Sequence, residues 1–183
     1  QVTTDKEGNL YFTSQSAGFM ENPKAIVIKI DRNGVQQWGR VYDVPNMYFL
    51  MGNAVATDTR LVMVIEGGTK GATTMSIDKN TGELKNIFTY QNNSGGQMYK
   101  RVLEYEHGKI FYAGNNSNGH LVLAVFDTTG KPLHLKYSTQ DMSGIRAGTY
   151  RNGKLYGLYN FFNGAKMRSS FFITDTALTP IQY

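Results

Sequence analysis

Tyr48, Tyr99, Arg101, Arg146 and Arg168 are the residues of this chain best suited to holding a ligand. Aromatic faces stack on ligand rings and cations, and guanidinium groups make charge-assisted, bidentate hydrogen bonds to anionic oxygens. Asn46, Met51, Lys100 and Lys166 lie close to them in sequence and extend the same character. Such a set suits a polar or anionic ligand such as a glycan. Acidic residues near these positions are few: Glu21, Asp43 and Asp141. No two carboxylates flank the set as a retaining or inverting glycosidase requires, and no nucleophile, base and orienting group fall into a triad. The chemistry read from these residues is binding, and no catalytic residue is assigned.

Other motifs do not build a site. His107, His120 and His134 show no His-x-x-x-His spacing and fall at different ends of the expected strands, so no metal is expected. Asp31 with Asn33, and Asp78 with Asn80, hint at calcium but lack the further oxygen ligands of a calcium loop. Gly67-Gly-Thr-Lys-Gly71 lacks the spacing of a phosphate cradle, and no helical pattern follows it. No cofactor is called for. Asp31-Arg-Asn-Gly34 with Trp38 is longer than the Asp-x-Gly-x-Thr-Trp turn of sialidases and reads as a hairpin with a packed Trp. Asn92-Asn-Ser94 and Asn115-Asn-Ser117 are acceptor triplets for N-glycosylation, both in expected loops.

The elements that must carry the five candidate residues are announced by a repeat. Asp31, Asp78, Asp127 and Asp175 each close a short apolar run, at spacings of 47, 49 and 48 residues. Tyr42, Tyr90, Tyr137 and Tyr183 follow at spacings of 48, 47 and 46. A fixed period of this length, built from strand-like segments, marks the blades of a β-propeller. The repeat units are about 1–44, 45–92, 93–139 and 140–183, and no linker divides them. Each unit holds four strand candidates: 1–4, 9–14, 24–30 and 36–42; 53–57, 61–66, 73–77 and 84–90; 99–105, 109–113, 121–126 and 133–137; 145–150, 154–159, 169–174 and 178–183. Asp31 to Gly34, Asp78 to Gly82 and Asp127 to Gly130 supply Asp to cap a turn and Gly to accept a positive φ, as hairpins between third and fourth strands. The fold class expected is all-β, a propeller of four blades of about four antiparallel strands, standing alone or as part of a larger ring. In that arrangement the loops 44–52, 91–98 and 138–144, with 15–23, 67–72, 115–119 and 160–168, emerge on one face. The five candidate residues lie in or beside them.

Composition agrees with one domain that needs no staples: 183 residues, no cysteine and a net charge of +5. The excess sits in the second half. Units one and two are neutral; unit three carries five basic residues against three acidic, and unit four five against two. No arginine-rich tail or basic helix points to specific nucleic-acid binding. The longest apolar run, 121–126, is far too short to span a bilayer. The chain begins at Gln1 without Met, which reads as a removed leader or a piece of a longer chain.

The first unit resembles the β-propeller repeats of bacterial secreted and surface proteins. The matching residues are Asp5-x-x-Gly8-Asn9-Leu10-Tyr11-Phe12, Ile28-Lys29-Ile30-Asp31-x-x-Gly34-x-x-x-Trp38 and Tyr42-Asp43. The second is similar to the pyrroloquinoline-quinone-type propeller repeat at Asp78-x-x-Thr81-Gly82-Glu83, without the Trp that pattern carries a few residues later. The resemblance implies an extracytoplasmic protein, secreted or on the cell surface. It implies a non-catalytic binding, scaffold or adhesion module for a protein or glycan partner. Two alternatives stand beside it: a fragment of a propeller enzyme, either a quinoprotein-like dehydrogenase or a polysaccharide-active one, and a filament or assembly subunit completed by further blades of the same or another chain.

Overall fold

The computed structural model of the chain describes residues 1–16, 23–44, 47–67, 72–90, 98–116, 121–137, 142–163 and 166–182. Within them the side chains of 47–53, 66–67, 72, 90, 98–102, 116, 137, 142–144, 146, 162–163 and 180–182 are not described. The fold is all-β, and no helix occurs among the described residues. The first sheet runs β1 (Val2–Thr4), β2 (Leu10–Gln15), β3 (Ala25–Ile30), β4 (Gln36–Tyr42). The second runs β5 (Met47–Ala56), β6 (Arg60–Gly67), β7 (Ala72–Asp78), β8 (Leu84–Tyr90). The third is β9 (Met98–Glu106), β10 (Lys109–Asn116), β11 (Leu121–Asp127), β12 (Pro132–Tyr137). The fourth is β13 (Met142–Arg151), β14 (Lys154–Asn163), β15 (Lys166–Asp175), β16 (Pro180–Gln182). Each sheet is an antiparallel meander, which short turns permit and a parallel sheet would not.

The repeated Asp is explained by one turn used four times. Asp31 Oδ1 accepts the amides of Asn33 and Val35, both at 2.9 Å. Asp127 Oδ1 accepts those of Thr129 and Lys131, and Asp175 Oδ1 those of Ala177 and Thr179. Asp78 Oδ1 accepts Asn80 and Thr81. The residue closing each turn is left-handed: Gly34, Gly82, Gly130 and Leu178, at φ 85°, 71°, 85° and 60°. The fourth turn has no glycine, so its glycine signal is missing from the sequence. Leu178 accepts the unfavourable φ because its side chain is buried between the third and fourth sheets. The turns after β9 and β13 are two-residue hairpins, with both His107-Gly108 and Asn152-Gly153 at positive φ.

The sheets stack through alternate faces. The inner strands β1, β5, β9 and β13 contact one another in order, and three apolar clusters fill the three seams. The first joins Tyr11, Val27, Trp38 and Tyr42 to Leu61, Met63, Met75 and Ile77. The second joins Val62 and Val64 to Tyr112, Ala124 and Phe126. The third joins Phe111 and Val125 to Leu155, Tyr159 and Phe172. Each fully buried large side chain is worth roughly 1.5–3 kcal/mol, so the apolar seams outweigh any single polar contact across them. Among the described residues no apolar cluster joins the fourth blade to the first as the three clusters join successive blades.

Polar contacts set the register of the seams. The closing turn of each later blade offers a carbonyl to the blade before it. Tyr42 Oη donates to Gly82 O at 2.6 Å, Thr74 Oγ1 to Gly130 O, and Lys136 Nζ to Leu178 O at 2.9 Å. At the first seam Lys79 O also accepts Trp38 Nε1 at 3.2 Å and Lys29 Nζ at 3.0 Å. Trp38 is packed and structural, as its place in the repeat predicts. However, it packs across the seam against the second blade's turn and not within its own hairpin: a Cβ at Gly82 would lie 2.9 Å from the indole ring.

Buried charge accompanies this seam. Lys79 Nζ lies 3.6 Å from Asp5 Oδ2 and 3.3 Å from Glu7 Oε2. Desolvation pushes the Asp5 carboxyl up, but hydrogen bonds from the Asn9 side chain and amide and from Tyr11 Oη, with the Lys79 charge, prevail and hold it at about 2. A carboxyl depressed below its ordinary 3.8 contributes stability that is present above about pH 4 and lost as pH falls toward 2. The contribution is about 2 kcal/mol. Urea unfolding of wild type and Asp5→Asn between pH 6 and pH 2 should show the two stabilities converging on acidification. Parallel decline of both proteins would contradict this role.

Candidate binding rim

The inner strands carry the candidate residues, and they carry them at breaks in the ladder. Between β5 and β6, Met47 pairs Gly67 and Phe49 pairs Glu66, leaving Tyr48 as the extra residue. Between β9 and β10, Lys100 pairs Gly114 and Val102 pairs Ala113, leaving Arg101 extra. Between β13 and β14, Ile145 pairs Tyr159 and Ala147 pairs Leu158, leaving Arg146 extra. Three successive inner strands thus place a register shift in the half of the strand away from the turn into the next strand. Bulges of this kind re-aim a side chain and are enriched beside functional sites. Tyr99 is two residues before Arg101 and pairs Asn115. The side chains of Tyr48, Tyr99, Arg101 and Arg146 lie outside the described residues.

Arg168 departs from the expectation of a loop-end position. It lies inside β15, paired with Phe161 of β14, and its side chain is exposed. The rim loops are also shorter than the sequence reading made them. Residues 47–52, 142–144, 160–163 and 166–168 belong to strands. For 47–52 and 142–144 the physical reason is the bulges on β5 and β13: an extra residue interrupts the alternation of apolar and polar positions that marks a strand, so the pattern ends early. The loop residues 17–22, 45–46, 68–71, 91–97, 117–120, 138–141 and 164–165 lie outside the described residues, and with them Asn46, Asn92, His120 and Asp141.

Asn115 is corrected. It is a strand residue of β10, 7 % exposed, and its Oδ1 accepts the Ile145 amide at 3.0 Å across the third seam. Its side chain is buried, so Asn115 is not an open acceptor site in the folded chain. No cluster of three His, Asp or Glu side chains suited to a metal occurs among the described residues.

The opposite end of the inner strands is held by its own side chains, which sequence reading did not single out. Lys6 Nζ lies 3.0 Å from Asp58 Oδ1, and Tyr105 Oη donates to Asp58 Oδ2 at 2.7 Å, joining three blades. The hydrogen bond from Tyr105, then that from Lys6, lowers the Asp58 carboxyl; desolvation and the same bond raise Tyr105. Glu104 Oε2 accepts the Tyr150 amide at 2.6 Å and Thr149 Oγ1 at 3.2 Å, joining the third and fourth blades. These donors and acceptors satisfy each other across the blades at that end. The only sequence signal was the turn residues that bring these side chains together.

Comparison with known proteins fixes the class through the fold alone. No protein-family model matches the chain, and no curated protein is matched by sequence. Among solved structures the chain is similar to the dihydro-heme d1 dehydrogenase NirN in complex with DHE, with 13% identity over 99% of this chain and a TM-score of 0.57. It is also similar to the Bacteroides ovatus xyloglucan PUL GH43B, with 14% identity over 98% of the chain and a TM-score of 0.52. The Cellvibrio cellulosa α-L-arabinanase complexed with arabinohexaose aligns at a TM-score of 0.46, with 13% identity over 98% of the chain. The chain spans 36% and 39% of the first two proteins and 74% of the third. The fold is that of β-propeller blades.

Proposed function

We propose that the four blades act as one non-catalytic binding or scaffold module whose ligand is a polar or anionic glycan held at the bulged end of the inner strands. The observation that carries this is the placing of Tyr48, Arg101 and Arg146 at the ladder breaks of three successive inner strands. One aromatic and two guanidinium groups on neighbouring strands suit a sugar ring bearing carboxylate or sulfate. The Bacteroides ovatus neighbour is a xyloglucan PUL GH43B, and a glycan ligand for this chain agrees with that name. The acidic residues near this end remain too few to serve as a catalytic pair.

Calorimetric titration with oligogalacturonates and neutral xyloglucan oligosaccharides tests the reading. Arg101→Glu with Arg146→Glu should weaken binding of the anionic oligosaccharide by at least tenfold, since a charge-assisted hydrogen bond is worth about 1.5–3 kcal/mol. The matching exposed pair Lys24→Glu with Arg40→Glu in the first blade should change it little. The affinity should also fall as ionic strength rises past about 0.15 M. Equal losses from both pairs would reduce the interaction to non-specific attraction. No binding by wild type of any oligosaccharide would remove the glycan.

A further inference from the structure

We propose that Met47, Met98 and Met142 form a binding site for one soft monovalent cation, of the class of Cu(I) and Ag(I), at the bulged end of the inner strands. The inference begins from the pairing of β5, β9 and β13 with the second strand of each blade. At the hairpin end the rungs are Ala56–Leu61, Tyr105–Ile110 and Tyr150–Leu155. Six residues further along the second strand, the rungs are Met47–Gly67, Met98–Asn116 and Met142–Phe161. Three successive inner strands thus set methionine at the same rung, and in each it is the first residue of the strand.

The sequence does not show this alignment. From methionine to the hairpin rung the inner strand runs nine, seven and eight residues, against six on its partner. The bulges absorb the difference: three extra residues on β5, one on β9 and two on β13. Without them the three methionines would fall at three different levels. The methionines also stand 51 and 44 residues apart in the chain, off the 47 to 49 of the turn Asp residues. Each inner strand is the edge of its sheet, and β9 packs on both β5 and β13. The register therefore gathers three methionines from three blades at one level. Methionine used for packing sits elsewhere: Met63 and Met75 are fully buried in the first seam.

Thioether sulfur is a soft, uncharged donor. Such donors select Cu(I), whereas calcium, magnesium and manganese require carboxylate, carbonyl or water oxygen. The chain has no cysteine, so thioether is its only sulfur ligand. The neighbouring residues sharpen the choice. Arg101 follows Met98 by three residues, and Arg146 follows Met142 by four. Fixed positive charge repels a divalent ion more strongly than a monovalent one, and no cluster of acidic residues is present there to offset it. A monovalent ion bound through polarisable sulfur loses least in such a place. The site is separate from the glycan reading: it draws on neither arginine, and either can fail while the other stands.

Cu(I), supplied anaerobically as its acetonitrile complex, and Ag(I) in chloride-free buffer should each bind the 183-residue chain at one equivalent. Zn(II) and Ca(II) should not bind at this site. Competition with bathocuproine disulfonate, a Cu(I) chelator, reads the affinity. Met47→Leu, Met98→Leu and Met142→Leu should each weaken it by at least about tenfold, the loss that even an outer-shell change causes at a metal site. Leucine nearly conserves the methionine volume, so the fold should survive each change. Met63→Leu and Met75→Leu should leave the affinity unchanged. A second measurement needs no variant. With carbon-13-labelled methionine methyls, Ag(I) should shift Met47, Met98 and Met142 the most among the eight methionines. Largest shifts at Met20, Met51 or Met167 would overturn the site, as would equal weakening by the seam and rung variants. Failure of the wild-type chain to bind either ion would overturn it outright.

Discussion

Trp38→Ala should lower the unfolding free energy by about 3–5 kcal/mol, the ordinary cost of truncating a buried large aromatic. The indole is 7 % exposed, lies 6.2 Å from the Tyr11 ring, and closes over the turn at Gly82. It also donates to Lys79 O, an acceptor that Lys29 shares. The loss therefore combines a cavity with a weakened polar register at the first seam. For a chain of this size the melting temperature should fall by roughly 10 °C. Because Trp38 is the only tryptophan, its emission reports this seam in the wild-type protein. The spectrum should be blue-shifted in the native state and move red when the first blade separates. Glycan affinity of the remaining folded fraction should be unchanged, because the ladder breaks that carry the binding reading lie on β5, β9 and β13. A melting temperature that holds while binding is lost would make Trp38 a ligand contact and sink the seam assignment.

The blades were legible because their signals are local. Asp31, Asp78, Asp127 and Asp175 recur since each carboxylate must satisfy two turn amides, and that need does not depend on the neighbouring blade. Strand positions followed from apolar runs between such turns, and β4, β8 and β12 begin within a residue of their expected starts. The fourth closing turn was harder to see. Leu178 does there what glycine does elsewhere, and only the packing of its side chain explains it. The inner strands were under-read for a different reason. A bulge places two residues opposite one, so the extra residues Tyr48 and Ser143 break the period-two pattern in the parts of β5 and β13 that were missed, whereas the expected strands 99–105 and 145–150 already ran through Arg101 and Arg146. Seam contacts such as Glu104 to Tyr150 or Lys29 to Lys79 O join residues some fifty positions apart, and no spacing rule announces them. Arg168 was misplaced because an exposed basic residue in a strand looks, in sequence, like a loop end.

Gly157→Ala should destabilise the chain by about 2–4 kcal/mol although it adds a single methyl group, and the reason lies on the facing strand. Gly157 pairs Gly148 on β13 and Phe172 on β15, so two successive positions of one sheet face have no side chain. The Phe172 ring occupies that space; a Cβ built at Gly157 falls inside the ring's own van der Waals envelope. Phe172 is 4 % exposed and belongs to the third seam, beside Tyr159 at a ring separation of 6.1 Å. An alanine methyl would push the ring out of this site. Overpacking of this kind costs about 1–3 kcal/mol, and full displacement approaches the roughly 3–5 kcal/mol of a Phe deletion. The backbone gain from replacing glycine in a strand is only about 0.5–1 kcal/mol, too small to offset it. Phe172→Ala removes the ring and opens the space, so the methyl should then be tolerated. The double variant should be no less stable than Phe172→Ala alone, with a coupling energy of at least about 1.5 kcal/mol by a double-mutant cycle. Additive losses would show that Gly157 is required by the backbone and not by the ring that covers it.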